Sequence, residues 1–175
     1  MASIGKIIIN IKRIIKIKYM YEEVKAKTFS FGSVGDGFEG TLLDITKTTS
    51  ADKYGKFSNI YKVKIKEGSF HDSTKNEKTG KFTINEEPTV ITPGEEYTMW
   101  VNHDKGVLIG AMKDIRLGQM FKVTFTETKP TDKGNDAKII KVFAGKDKQG
   151  LPLMDEAWLA SQSTNIYDED NSKME

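Results

Sequence analysis

Cysteine is absent from the 175 residues, so neither a disulfide framework nor a thiolate metal site can form. Histidine occurs only as His71 and His103, which excludes a His-rich metal centre. No apolar run reaches the ~20 residues needed to span a bilayer. Nor does an uninterrupted apolar stretch of signal-peptide length precede a small-residue cleavage site. The motifs of common enzymes are missing as well: there is no GxxxxGK[ST], no HExxH and no GxSxG. GSVGDG (32–37) is glycine-rich, but it precedes a strand pattern instead of opening a helix, so it is no dinucleotide fingerprint. Carboxylates are plentiful, yet no pair is placed by sequence in a pocket that would tune its pKa. The expectation is a non-enzymatic protein without a cofactor.

What is present suits a folded domain. The chain is 19.7 kDa, 30% charged and 37% hydrophobic, the balance of one ordinary domain with appendages. Its net charge of +2 implies no partner. The distribution says more. Residues 1–27 carry seven basic groups against Glu22 and Glu23, and residues 155–175 carry six acidic groups against Lys173. Opposite charge at the two ends is a pattern of nucleic-acid proteins and their tails, and equally of two solvated termini.

Residues 1–21 read MASIGKIIINIKRIIKIKYMY. Ile4, Ile7, Ile8, Ile11, Ile14 and Ile15 fall at helical spacing, while Ile15, Ile17, Tyr19 and Tyr21 alternate as in a strand. A basic interfacial helix, an added strand and a leader outside the domain all fit, and Met20 is an alternative natural start. Residues 1–27 are taken as an appendage, 28–145 as the folded domain, and 146–175 as a short helix with a flexible acidic tail.

From residue 28 the pattern becomes short strands. Gly35, Gly37 and Gly40 break and bend a strand over 32–49. SADKYGK (50–56) is turn chemistry. FSNIYKVKIK (57–66) alternates, with Phe57, Asn59, Tyr61, Val63 and Ile65 on one face and Ser58, Ile60, Lys62, Lys64 and Lys66 on the other. Residues 67–94 form a polar excursion, with a small hairpin around Asn76–Gly80 and a short strand at Lys81–Ile84. EEYTMWVNH (95–103) is a third strand, with Tyr97, Met99 and Val101 opposite Thr98, Trp100 and Asn102. Val107, Leu108, Ala111, Met112 and Ile115 predict a helix over 104–118 that stops at Gly118. Residues 119–128 and 137–145 are two more strands, and 152–162 predict a short helix. Three strands, a helix and two strands predict a mainly β fold, a five-stranded OB-type Greek-key barrel with one helix between strands three and four. An SH3-like barrel is the main rival.

Four blocks carry a family resemblance: GDGFEGTLLDI (35–45), KYGKFSNIYKVKI (53–65), NHDKGVLIGAMKDIRLGQMFKVTF (102–125) and KGNDAKIIKVF (133–143). Over residues 35–143 the chain resembles phage-type single-stranded DNA-binding proteins with an OB fold. The excursion and the isoleucine-rich leader have no counterpart in that pattern. The resemblance implies sequence-tolerant binding of unpaired DNA, or of RNA, in replication or recombination. The compartment is then the cytoplasm, that of the host cell for a phage protein. Acidic tails of such proteins compete for their own groove and recruit replication proteins. The tail NIYDEDNSKME has the charge for this but lacks a terminal hydrophobic tip.

Binding an unpaired strand requires cations for phosphates and aromatic faces for bases. Lys62, Lys64 and Lys66 share one face of the second strand, and Trp100 faces outward if Tyr97, Met99 and Val101 are core. The alternatives are a solvated barrel face, and a Trp100 packed under the excursion or the C-terminal segment. Lys47, Lys53, Tyr54 and Lys56 make the first loop a candidate clamp. Lys129, Lys133 and Lys138 belong to the loop between the fourth and fifth strands as weaker candidates, and His103 follows the third strand. Tyr61, Phe121 and Phe125 read as core. The other readings are a protein-interaction or structural module, in which Lys62, Lys64 and Lys66 merely confer solubility, and attachment to a membrane surface through the leader.

Overall fold

The computed structural model describes residues 26–102 and 105–171. The leader over 1–25, His103 and residues 172–175 lie outside them. Among the described residues nine strands run in order: β1 (Lys27–Phe29), β2 (Gly37–Lys47), β3 (Asn59–Phe70), β4 (Ser73–Lys75), β5 (Phe82–Ile84), β6 (Thr89–Val90), β7 (Glu96–Val101), β8 (Met120–Lys129) and β9 (Ala137–Ala144). Helix α1 (Gly106–Met112) lies between β7 and β8, and α2 (Glu156–Asn171) follows β9. The protein is therefore mainly β.

The main sheet has the order β1-β7-β3-β2-β8-β9, with β6 added to the end of β3. All pairings are antiparallel except β1 with β7, so the sheet is mixed. The sheet is open where a closed barrel was expected. A strand has two hydrogen-bonding edges, and those of β7 are taken by β3 and by the parallel strand β1, which puts Lys27 opposite Tyr97 and Phe29 opposite Met99. Over Tyr97–Met99, β1 thus occupies the edge of β7 that β9 would need to close a barrel. Helix α1 instead packs against β9, burying Leu108 and Met112.

Period-two patterning explains the core. Tyr61, Val63 and Ile65 of β3, Tyr97, Met99 and Val101 of β7, and Phe121, Val123 and Phe125 of β8 are all buried. Phe29, Phe38, Phe70 and Phe121 form an aromatic chain through it. Successive ring centroids lie 4.9 Å (Phe29–Phe38) and 5.5 Å (Phe38–Phe121) apart, and Phe70 sits 5.0 Å from Phe29. Phe57, expected on the buried face, is exposed before β3 begins. β2 coils through two irregularities, between Glu39 and Gly40 and between Leu42 and Asp44. A Cβ on Gly40 would lie 2.5 Å from the Lys64 carbonyl oxygen, so the close approach of the two strands requires glycine there.

Three boundaries differ from expectation. β3 runs on to Phe70, which joins the core, so the excursion begins later and supplies Ile91 to the core. Its hairpin forms where predicted: β4 pairs β5, and the Asn76 side chain accepts the Lys78 and Thr79 amides at 2.9 and 3.1 Å. The helix stops at Met112, six residues before Gly118. Beyond it the buried Gln119 holds a turn, accepting the Arg116 amide at 2.9 Å and donating to the Gly145 carbonyl at 3.0 Å. The apolar spacing continues past the helix because Ile115 is buried from that turn, while Val107 is 86% exposed. The last helix starts at Glu156, later than 152, and extends through the acidic 168–170. Its start is set by Asp155, whose Oδ1 accepts the Ala157 amide at 2.8 Å.

Gly118 has φ of +80°, and the Trp158 ring fills the place of its missing side chain, with Cε3 2.1 Å from an ideal Cβ. Gly118→Ala is expected to destabilise the fold by roughly 2–4 kcal/mol, from left-handed backbone strain plus displacement of the indole. Urea unfolding checks this, and an unchanged midpoint would contradict the packing described.

Candidate nucleic-acid interface

The outer wall of the sheet is built by the residues that alternate with the core. In β3 these are Ile60, Lys62, Lys64 and Lys66, and the register sets them against β7: Ile60 opposite Trp100, Lys62 opposite Thr98, Lys64 opposite Glu96. On the other side β2 places Thr46 beside Ile60, Asp44 beside Lys62 and Thr41 beside Lys64. Trp100 is 55% exposed, and the three lysines are exposed on the same wall. From Lys62 to Lys66 the ribbon spans about 13 Å at strand rise.

The cations are not equally available. Lys62 Nζ lies 2.8 Å from Glu96 Oε2, and that hydrogen bond holds its pKa above the ordinary lysine value. Lys66 Nζ lies 3.1 Å from Glu39 Oε1. Exposed pairs of this kind contribute little to stability and exchange readily with a phosphate. Lys64 makes no ion pair among the described residues, but it faces Asp155, which the C-terminal segment lays over Thr41. The Thr41 hydroxyl donates to Asp155 Oδ2 at 2.6 Å. That bond lowers the Asp155 pKa most. Burial opposes it, and the Trp158 and Ala157 amides and the Lys64 charge add to it.

The first loop stands at the Trp100 end of the wall. Its neck closes through the Thr48 amide on the Ser58 carbonyl at 3.0 Å, and the Ser58 hydroxyl donates to Asn102 Oδ1 at 3.1 Å, tying the loop to the end of β7. Lys47 ends β2, exposed. At the tip, Asp52 Oδ1 accepts the Tyr54 and Lys56 amides at 2.8 and 3.0 Å. The Tyr54 ring is 67% exposed, with Lys53 Nζ 5.0 Å from its centroid.

The last hairpin is separate. Lys129 lies 3.8 Å from Glu127, Lys133 sits in the turn, and no contact among the described residues joins either to the lysine wall. Lys138 is engaged locally, donating to the Phe31 carbonyl with its ammonium 5.6 Å from the Phe125 ring centroid. Tyr61, Phe121 and Phe125 are core, as expected.

Sequence reading did not single out the acidic partners Glu39 and Glu96, which reach the lysines from neighbouring strands. It also passed over Asp36, a buried carboxylate that pins the 32–36 loop, and the outward Phe143 of β9. The alternation of Phe143 with Val142 was the available signal for the last. Among the described residues there is no cluster of three or more possible metal ligands, and no helix is long and apolar enough to cross a membrane. Compared with known proteins, the chain matches no family model, no curated protein and no solved structure.

Proposed function

We propose that this chain is a non-enzymatic, sequence-tolerant single-stranded DNA-binding protein, protecting unpaired strands in replication or recombination, as in a phage. The observation that carries the reading is the exposed Trp100 on the same wall as Lys62, Lys64 and Lys66, an aromatic face beside a track of cations. The clamp-like loop with Lys47, Lys53, Tyr54 and Lys56 at the Trp100 end supports it. So does the order β7-β3-β2-β8-β9 with a short helix before β8, which suits a partly open OB-type barrel supplemented by β1. On this reading the protein works in the cytoplasm, and its acidic C-terminal segment offers replication proteins a contact.

Quenching of tryptophan fluorescence tests the proposal. Oligo-dT is expected to quench and duplex DNA is not. Absence of any response to oligo-dT or oligo-rU would favour a protein-interaction module instead, a reading that draws on the exposed Phe82, Ile84 and Val90 of the excursion.

A further inference from the structure

The outer wall does not end at β2. Glu39 of β2 lies opposite Lys122 of β8, and Lys122 lies opposite Phe143 of β9. One step along, Lys141 of β9 lies opposite Thr124. Val123 and Val142, the intervening residues, point inward to the core, so Lys122, Lys141 and Phe143 share the outward side. Phe143 is 53% exposed and borders a shallow hollow of about 250 Å³ that Lys122, Lys146 and Leu153 also line. Among the described residues Lys122, Lys141 and Lys146 enter no ion pair, unlike Lys62 and Lys66. The wall is continuous with the lysine ribbon, because Glu39 beside Lys122 is the carboxylate that Lys66 holds.

We propose that a single strand bound on the β3–β7 wall continues across β8 and β9, where the Phe143 ring stacks a base and Lys122, Lys141 and Lys146 hold adjoining phosphates. This rests on the nucleic-acid reading above and adds a second station to it. An exposed aromatic ring ringed by unpaired ammonium groups matches both halves of a nucleotide, its π-face and its anion. An acidic protein segment would use the charges but has less call on the ring. Trp100 and Phe143 stand four strand spacings apart across the sheet, about 19 Å, and their registers meet β2 at Thr46 and Glu39, roughly 23 Å apart along the strand, so a short oligonucleotide reaches one and a longer one reaches both.

The test is fluorescence anisotropy of labelled oligo-dT of about 6 and about 20 nucleotides, one near the lower end and one above the upper end of OB-fold site sizes, with wild type, Phe143→Ala, Phe143→Tyr, Lys141→Glu and Trp100→Ala. Phe143→Ala and Lys141→Glu are expected to weaken binding of the longer strand about tenfold, with little effect on the shorter. Phe143→Tyr restores it. Both positions are exposed, and unchanged circular dichroism establishes that the variants fold. If Trp100→Ala weakens binding while Phe143→Ala and Lys141→Glu match wild type on both lengths, the second station is overturned and the first stands. If wild type binds neither oligonucleotide, the functional reading itself falls, and the second station with it. If Phe143→Ala leaves DNA affinity intact but abolishes self-association in sedimentation, the patch belongs to a second copy of the chain and the proposal is overturned.

Discussion

Trp100→Ala is expected to weaken oligo-dT binding roughly tenfold to a hundredfold, the range that one lost base–aromatic stack supplies. The fold should not suffer, because the ring is 55% exposed and lies outside the buried cluster. Its strand is anchored by Tyr97, Met99 and Val101 on the other face. This separation of binding from stability makes the variant informative. Trp100→Phe keeps a flat π-surface and should retain most of the affinity. Anisotropy with a labelled oligonucleotide reads both variants, and thermal melting checks that they fold alike. Equal affinity of Trp100→Ala and wild type would remove the indole from the interface.

The second large effect concerns stability. Asp36 is 1% exposed, and its carboxylate gathers four donors. Oδ2 accepts the amides of Gly32 at 2.7 Å, Ser33 at 2.8 Å and His71 at 3.0 Å, and His71 Nδ1 lies 2.6 Å from Oδ1. One side chain thus fastens the approach to β2 onto the chain leaving β3. Asp36→Asn removes the negative charge that these donors share, and its NH2 must face either the three backbone N–H groups or His71 Nδ1. The cost is about 3–5 kcal/mol, a fall in melting temperature on the order of 10 °C for a chain of this size.

The same group sets a pH dependence. Burial works against the ionised Asp36, but the donors from His71, Ser33 and Gly32 outweigh it, so its pKa lies below the ordinary carboxylate value. A depressed folded pKa means stability that is complete above the unfolded value, ~4, and is lost as pH falls through the folded one. Wild type should therefore lose melting temperature below about pH 4 more steeply than Asp36→Asn. Parallel acid curves would contradict the role given to this carboxylate.

Much of the sheet was legible because burial on one face imposes alternation. KVKIK in β3 and MFKVTF in β8 each declare their buried and outward residues, and Trp100 follows from Tyr97, Met99 and Val101. β1 was not legible, since three residues are too few for a period, and its effect is non-local: it takes the edge of β7 on which barrel closure depends. The length of α1 was overread because Ile115 continues the helical spacing from a turn. The lysine track was legible, but its charge balance was not. Glu96 and Glu39 meet Lys62 and Lys66 only after strands distant in sequence pair. Asp36 lies within the glycine-broken strand pattern over 32–49, where nothing marks it as buried, and only the fold brings His71 to it.

The central claim is that ammonium groups on one wall neutralise the phosphates of an unpaired strand, and its most direct measurement is the salt dependence of oligo-dT affinity. Log affinity should fall with log salt by about 0.7 per neutralised phosphate, and Lys62, Lys64 and Lys66 together replaced by Gln should flatten the slope by about 2. A wild-type affinity that does not change between low and moderate salt, or a slope identical in the triple variant, would contradict the account.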